Sequence, residues 1–466
     1  MVRRLNLCVK KIPMAKSSPE GIFDARTLGR GKMLTLGVQH MFAMFGATVL
    51  VPVITGLSMS ATLLFAGLGT LLFHVLTKLQ VPAFLGSSFA FLGGYAAVVQ
   101  MGQEQGLSAS EALPYACIGV FAAGVIYFIL AGLFAAYGAG KVMRFFPPVV
   151  TGPIIIAIGL TLSGTAIGSC NDNWWIAILA ISIIIVCNIW GKGMIKIIPI
   201  LLGVIGSYVV AACFKMCDFS AVKDAAWIGF PVQWENTAFH VMANPNTGLI
   251  ISAIIAIVPI SLATMMEHIG DMCAISSTTG INYLEKPGLH RTLMGDGLAT
   301  MAASLFGAPA NTTYGENTGV LNLTKVFDPR VIRIAAVFAI LLSFCPKFSA
   351  LIGAMPKATI GGVSLVLYGM ISAVGVRNVV ENKVDFKASR NVIIMALILV
   401  LAIGIKYGAG DAIDLGFTKL SGLAVAALVG IILNAVLPGK DYEFGKNDAG
   451  DMAVDFEINP SLRKKK

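Results

Sequence analysis

Pro309-Ala310-Asn311-Thr312-Thr313-Tyr314-Gly315-Glu316-Asn317-Thr318-Gly319 interrupts an apolar region with a proline, hydroxyls, an aromatic ring, glycines and a carboxylate. A second stretch follows the same plan: Pro82-Ala83-Phe84-Leu85-Gly86-Ser87-Ser88-Phe89-Ala90-Phe91-Leu92-Gly93-Gly94. Non-helical backbone at membrane depth persists only where it is buried in protein or lines a water-filled cavity. Two such interruptions in corresponding halves of a chain point to a transporter's binding site.

The rest of the sequence supplies the membrane that this reading needs. Hydrophobic residues make up 56% and charged residues 12%, against about 25% charged in a soluble domain. Such a chain has too little polar surface to face water on all sides, so lipid is its solvent. The formal charge of +10 sits between apolar segments and at the two ends, which argues for membrane lipids as partners and against nucleic acid. Arg3, Arg4, Lys10, Lys11, Lys16, Arg26, Arg30 and Lys32 outweigh Glu20 and Asp24 near the start. With neither the apolar stretch nor the cleavage site of a signal peptide, this segment is expected to stay cytoplasmic. Eight cysteines are scattered. Cys213 and Cys217 are close, but no second pair completes a zinc pattern, so they read as small packing residues. Neither metal nor cofactor is expected.

A crossing needs about 20 apolar residues. Fourteen stretches qualify, near 33–57, 60–79, 83–100, 113–138, 145–168, 173–190, 195–214, 247–275, 290–306, 311–325, 331–354, 358–378, 390–406 and 417–437. With the N-terminus inside, loops after even-numbered spans should be basic. Lys78, Lys141, Arg144, Lys192, Lys286, Arg291, Lys325, Arg330, Arg377 and Lys383 fall there, whereas Glu104, Glu111, Asp172, Asp411 and Asp414 lie in the opposite loops. Both ends are thus expected inside. The stretch around 215–246 mixes both signs. Gln39 and Glu267 differ by 228 positions, Pro82 and Pro309 by 227. Seven spans separate the partners, and an odd number means opposite orientation. The expected fold is all-α, with fourteen transmembrane segments in two inverted seven-span repeats.

Charge inside a membrane needs a reason, because it costs roughly 2.5–3.5 kcal/mol on insertion scales. Glu267 and Asp271 stand four residues apart and share a helical face. His268 lies beside them, Asp296 stands between glycines, and His40 and Glu316 complete the set. Glu-His-x-x-Asp is not the spacing of a zincin. Carboxylates accept hydrogen bonds, interrupted helices offer free amides, and Phe89 and Tyr314 offer ring faces. The fitting guest is small and planar with N–H and C=O edges: a pyrimidine dione such as uracil, or an oxidised purine. No nucleophile elbow or phosphate loop argues for an enzyme.

Glu316-Asn317-Thr318-Gly319-Val320-Leu321-Asn322-Leu323-Thr324-Lys325 resembles the signature of the nucleobase–ascorbate transporter family, also called nucleobase:cation symporter-2. Gln39-His40, Glu267-His268-Ile269-Gly270 and Pro287-Gly288-Leu289-His290-Arg291 resemble further landmarks of that family, and Asn311 to Asn317 looks like its uracil permease branch. The resemblance spans about residues 33–437. It implies a core domain from 33–138 and 247–355, a gate domain from 139–246 and 356–437, and cytoplasmic ends 1–32 and 438–466. It also implies short extended stretches in spans 3 and 10, with substrate between them. Carried over, Glu267 and Glu316 would hold uracil N–H groups, and Phe89 and Gly315 would offer amides to its carbonyls. Ser88, Phe89 and Tyr314 would line the site, and Tyr368 would face it from the gate. Family likeness further implies uptake with protons at the plasma (inner) membrane and a homodimer through the gate domains. Asp271, Glu267, Asp296, His40 and His268 are the expected proton-coupling groups. One departure is Asp271, where bacterial uracil permeases can have histidine. Xanthine or urate, and sodium coupling, remain the alternatives within the same family.

Overall fold

Polar residues mark the helix boundaries in this apolar chain. Ser58, Ser108, Asn173, Asn246, Asp328 and Ser421 each cap a helix start through a side-chain oxygen, satisfying amides that the helix leaves open. The first half comprises α1 (Arg30–Thr55), α2 (Met59–Leu76), strand β1 (Leu85–Ser87), α3 (Leu92–Glu104), α4 (Ala109–Tyr137), α5 (Pro148–Cys170), α6 (Trp174–Trp190) and α7 (Pro199–Cys213). The second half continues with α8 (Thr247–Ile257), α9 (Ile260–Thr279), α10 (Leu289–Leu305), β2 (Asn311–Thr313), α11 (Gly315–Thr324), α12 (Pro329–Ser343) and α13 (Pro346–Gly353). It closes with α14 (Lys357–Glu381), α15 (Ser389–Gly408), β3 (Ala412–Asp414), β4 (Lys419–Ser421) and α16 (Gly422–Val436). One-turn helices fill the connections.

This computed structural model describes residues 21–439 except Asn244, Asp411 and 415–418. The expectations for residues 1–20, for the tail beyond residue 439 and for Asp411 lie outside the described residues. Among the described residues, seven helical segments are long and apolar enough to cross a membrane, or eight if the bent pair α12–α13 is one span. This is a multi-pass membrane protein. The expected single span at 331–354 is bent by 87° between α12 and α13. Pro346 opens α13 and has no amide to continue the preceding helix. The expected spans at 83–100 and 311–325 each divide into a strand and a half-length helix. The eighth expected span is a single crossing, Thr247–Thr279, whose hydrogen-bond ladder is interrupted at Val258-Pro259, between α8 and α9.

Lipid gives apolar helices no hydrophobic reason to associate, so they pack through small residues that let backbones approach. A Cβ on Gly159 of α5 would lie 2.2 Å from both the Tyr368 carbonyl and Ser372 Oγ of α14. Ser372 Oγ donates to the Ile156 carbonyl (3.0 Å) and Asn378 Nδ2 to Thr151 Oγ1 (3.0 Å), so the two helices run antiparallel. In the same way α4 meets α10, where a Cβ on Gly124 would lie 3.0 Å from the Gly297 carbonyl, and α2 meets α12 through Gly67. Helices α1 and α12, α8 and α4, α6 and α7, and α15 and α16 also pack pairwise.

Outside the apolar helices, residues 21–29 form a strap across the start of α12. Ile22 bridges Val326. The Ala25 amide donates to Asp328 Oδ2 at 2.8 Å, Arg330 pairs with Asp24 at 3.0 Å, and Phe23 meets Phe327 at 5.3 Å. The hydrogen bond from Arg26 holds the Asp24 carboxyl down to about 2. A hairpin, β3–β4, stands before α16, and Lys419 Nζ reaches Glu104 Oε2 at the end of α3 (2.6 Å).

Candidate functional site

Strands β1 and β2 come from the two interrupted stretches and pair antiparallel, with Leu85 opposite Thr313, Gly86 opposite Thr312 and Ser87 opposite Asn311. The ladder extends at both ends: Tyr314 N–H donates to the Phe84 carbonyl (3.0 Å) and Ser88 N–H to that of Ala310 (2.8 Å). A two-strand ribbon leaves outer edges that lipid cannot satisfy. Side chains from neighbouring helices do so here. Thr70 Oγ1 accepts from the Leu85 amide at 2.9 Å, the Tyr95 hydroxyl from the Ala310 amide at 3.1 Å, and Thr300 Oγ1 donates to the Asn311 carbonyl at 2.9 Å. Asn311 Nδ2 donates to the Phe65 carbonyl (3.0 Å), and His74 Nε2 meets that of Ala83 (2.9 Å).

The Tyr314 ring lies over Gly86, where a Cβ would sit 2.5 Å from two ring carbons. Its hydroxyl donates to the Ser87 carbonyl at 2.9 Å and lies 3.3 Å from Thr48 Oγ1. Both half-length helices begin at this ribbon without a side-chain cap: α3 after Phe91 and α11 after Tyr314. Because helices leave their first-turn amides without intrahelical acceptors, α11 starts with an uncapped donor at Gly315, while the Glu316 amide is held by its own carboxylate, and the positive ends of both helix dipoles meet the ribbon.

Four carboxylates surround this framework. Glu267 and Asp271, one turn apart on α9, are half-buried, as is Glu316 in the first turn of α11. Thr313 Oγ1 donates to Asp271 Oδ2 at 2.6 Å and so ties α9 to β2. Glu267 and Asp271 each lie within electrostatic range of the other, of Glu316 and of Asp296. Asp296 Oδ2 is 3.0 Å from His268 Nδ1, and both side chains are fully buried. Across the helices, Phe89 meets Tyr368 edge-on, with ring centroids 6.1 Å apart. Ser88 Oγ and Thr318 Oγ1 are buried without a hydrogen-bond partner.

The structure therefore gathers Glu267, Asp271, Asp296, His268, Glu316, Gly315, Tyr314, Ser88, Phe89 and Tyr368 around one ribbon. His40 contacts the site through Asn317: its carbonyl accepts from Asn317 Nδ2 at 3.0 Å and its ring Nδ1 lies 3.2 Å from the same atom, so it holds α11 one residue beyond Glu316. Sequence reasoning missed Thr48, Thr70, Tyr95, Thr300 and Asn317, which brace the ribbon and α11. Asn317 stood in the quoted stretch, but hydroxyls inside helices carry no signal of their own. No group of three or more His, Cys, Asp or Glu side chains is placed to hold a metal among the described residues.

The sequence matches the model of the Permease family, Xan_ur_permease, over residues 31–410. Similar relatives include the uracil permease of Bacillus subtilis (strain 168), 41% identical over 87% of this chain and 92% of that protein. The uracil permease of Bacillus caldolyticus is 40% identical over 88% and 93%, and that of Escherichia coli (strain K12) 34% over 86% and 90%. Among solved structures, the transmembrane domain of a cyanobacterium bicarbonate transporter, BicA, matches with a TM-score of 0.57 at 13% identity, over 89% of this chain and all but 1% of that one (99% covered). SLC26A9 matches with a TM-score of 0.62 at 11% identity, over 88% and 66%. These structures share a transporter fold with this chain.

Proposed function

This chain belongs to that permease family, and we infer that it imports uracil in symport with protons by alternating access. The observation that carries the reading is the approach of Glu267 to Glu316 beside a ribbon whose following helix begins with an uncapped amide at Gly315. Uracil presents N–H donors and C=O acceptors around a flat ring. Glu267 and Glu316 accept from its N–H groups, the Phe89 and Gly315 amides donate to its carbonyls, and Phe89, Tyr314 and Ser88 line it, with Tyr368 opposite. Relatives that bear the uracil permease name support this substrate.

The proton sits on Asp271 or Glu267, with His268–Asp296 as the fixed pair behind them and His40 as a further candidate. Coupling is then a difference in uracil affinity between the proton-bound and proton-free states. The core domain, 33–138 with 247–355, moves against the gate domain, 139–246 with 356–437, and two copies join through their gates. Fourteen crossings in two inverted repeats, with both ends cytoplasmic, complete the proposal. Helix packing supports it: α4 with α10 and α2 with α12 are counterparts under a seven-span shift, as are α1 with α12 and α8 with α4. β1 with β2 and α5 with α14 pair each segment with its own counterpart.

Uptake of radiolabelled uracil into proteoliposomes, with an inward proton gradient and no sodium, tests this. The expected result is accumulation that a protonophore abolishes and xanthine does not compete. Uptake that needs sodium, or that xanthine blocks, replaces the coupling ion or the substrate.

A further inference from the structure

The connection between α7 and α8 is the one long linker in the described chain, and it is built against the rule for a water-exposed loop. Trp227 is 72% exposed, Ile228 84% and Phe230 77%. A loop in water that displayed these side chains together would form an aggregation-prone patch. Their position says what covers them. The Gly229 amide donates to the Phe344 carbonyl at 3.0 Å, and the Lys347 amide to that of Ala226 at 3.0 Å. The segment is thus clamped onto the bend between α12 and α13. Val337 and Leu341 of α12 and Phe344, which caps its end, are all exposed at i, i+4 and i+7, one outward apolar stripe. That helix belongs to the bent pair that is long and apolar enough to cross a membrane, so the stripe faces acyl chains. Ile228 and Phe230 continue it past the helix end.

A cation marks the polar boundary. Lys347 Nζ stands 5.0 Å from the centroid of the Trp227 ring, at the mouth of the same clamp. Tryptophan with its apolar body buried and its N–H wet, beside a lysine, is the composition of a membrane–water interface. We propose that residues 226–230 form an interfacial anchor, with Ile228 and Phe230 inserted among the acyl chains of the adjacent leaflet, the Trp227 ring beneath the headgroups at the top of those chains, and Lys347 reaching up to the phospholipid phosphates.

Trp227 supplies its own probe. The protein, with Trp174, Trp175, Trp190 and Trp234 replaced by phenylalanine, is reconstituted in phosphatidylcholine brominated at shallow or at deep acyl positions. The anchor predicts that Trp227 emission loses most of its intensity with shallow bromines, less with deep ones, and resists aqueous iodide. Quenching by iodide but not by bromolipid would place the segment in water and overturn the proposal. Resistance to both would place it against protein, such as a second copy, and overturn it equally. If the multiply substituted protein does not fold, the difference between the parent and Trp227→Phe reads the same quantity. The readout is independent of uracil transport.

Discussion

Gly86→Ala is the sharpest test of the ribbon. The added Cβ would lie 2.5 Å from Cε2 and Cζ of Tyr314 and 2.7 Å from Thr48 Oγ1. Carbon atoms rest at about 3.5–4.0 Å, so the ring must retreat by about 1 Å or β1 must move away from it. Either movement breaks the 2.9 Å bond from the Tyr314 hydroxyl to the Ser87 carbonyl and shifts an aromatic face of the proposed uracil site. Overpacking of this kind costs about 1–3 kcal/mol. Expressed wholly in substrate affinity, that range raises the KM for uracil about 5- to 150-fold. The assay is initial uptake against uracil concentration in proteoliposomes, with the thermal midpoint of the purified protein alongside. The penalty should shrink when Tyr314→Leu is present, because contacting residues do not contribute additively. A parental KM and midpoint in Gly86→Ala, or an equal penalty in both backgrounds, refutes the reasoning.

Glu267→Gln and Glu316→Gln should each raise the uracil KM, by about 10- to 150-fold if each loses one charge-assisted hydrogen bond of roughly 1.5–3 kcal/mol; uptake kinetics check this. The strap should hold at neutral pH and loosen in acid. Its Asp24 carboxyl is depressed from 3.8 to about 2, so the stabilisation is present above 3.8 and is lost as pH falls through about 2. Hydrogen-exchange protection at residues 21–29, taken against the intrinsic rate at each pH, should fall across that window, and Asp24→Asn should lower it already at neutral pH. Gly159→Ala, which drives a methyl to within 2.2 Å of the Tyr368 carbonyl, should cost about 1–3 kcal/mol. Gly168→Ala on the same helix, with nothing within 4 Å, should leave the thermal midpoint unchanged.

Much of this architecture was legible because membrane depth is so restrictive. Pro82 and Pro309 could not continue apolar helices, and strands stand just beyond both. Glu267 and Asp271 had to share a face, and the structure sets both beside Glu316. What the sequence could not convey is partnership across the fold. That Asp296 seeks His268, that Thr313 reaches Asp271, or that Tyr95 satisfies Ala310 depends on contacts between helices far apart in the chain, and a hydroxyl inside a helix looks the same whether it bonds its own turn or a strand edge. The interrupted ladder of the eighth span at Val258-Pro259 and the hairpin before α16 were also beyond periodicity, because short apolar runs read alike as helix or strand.

Ribbon pairing also sets a schedule for biosynthesis. Ser87 and Tyr314, bonded to each other, are 227 positions apart. Ribosomes add about 5–20 residues per second, so roughly 10–50 s pass between the emergence of β1 and that of its partner. Throughout that interval the first stretch has polar backbone that lipid cannot satisfy. The nascent first half must therefore wait beside water or the insertion machinery, and any agent that lengthens the pause exposes the half-made protein to degradation before its centre can close.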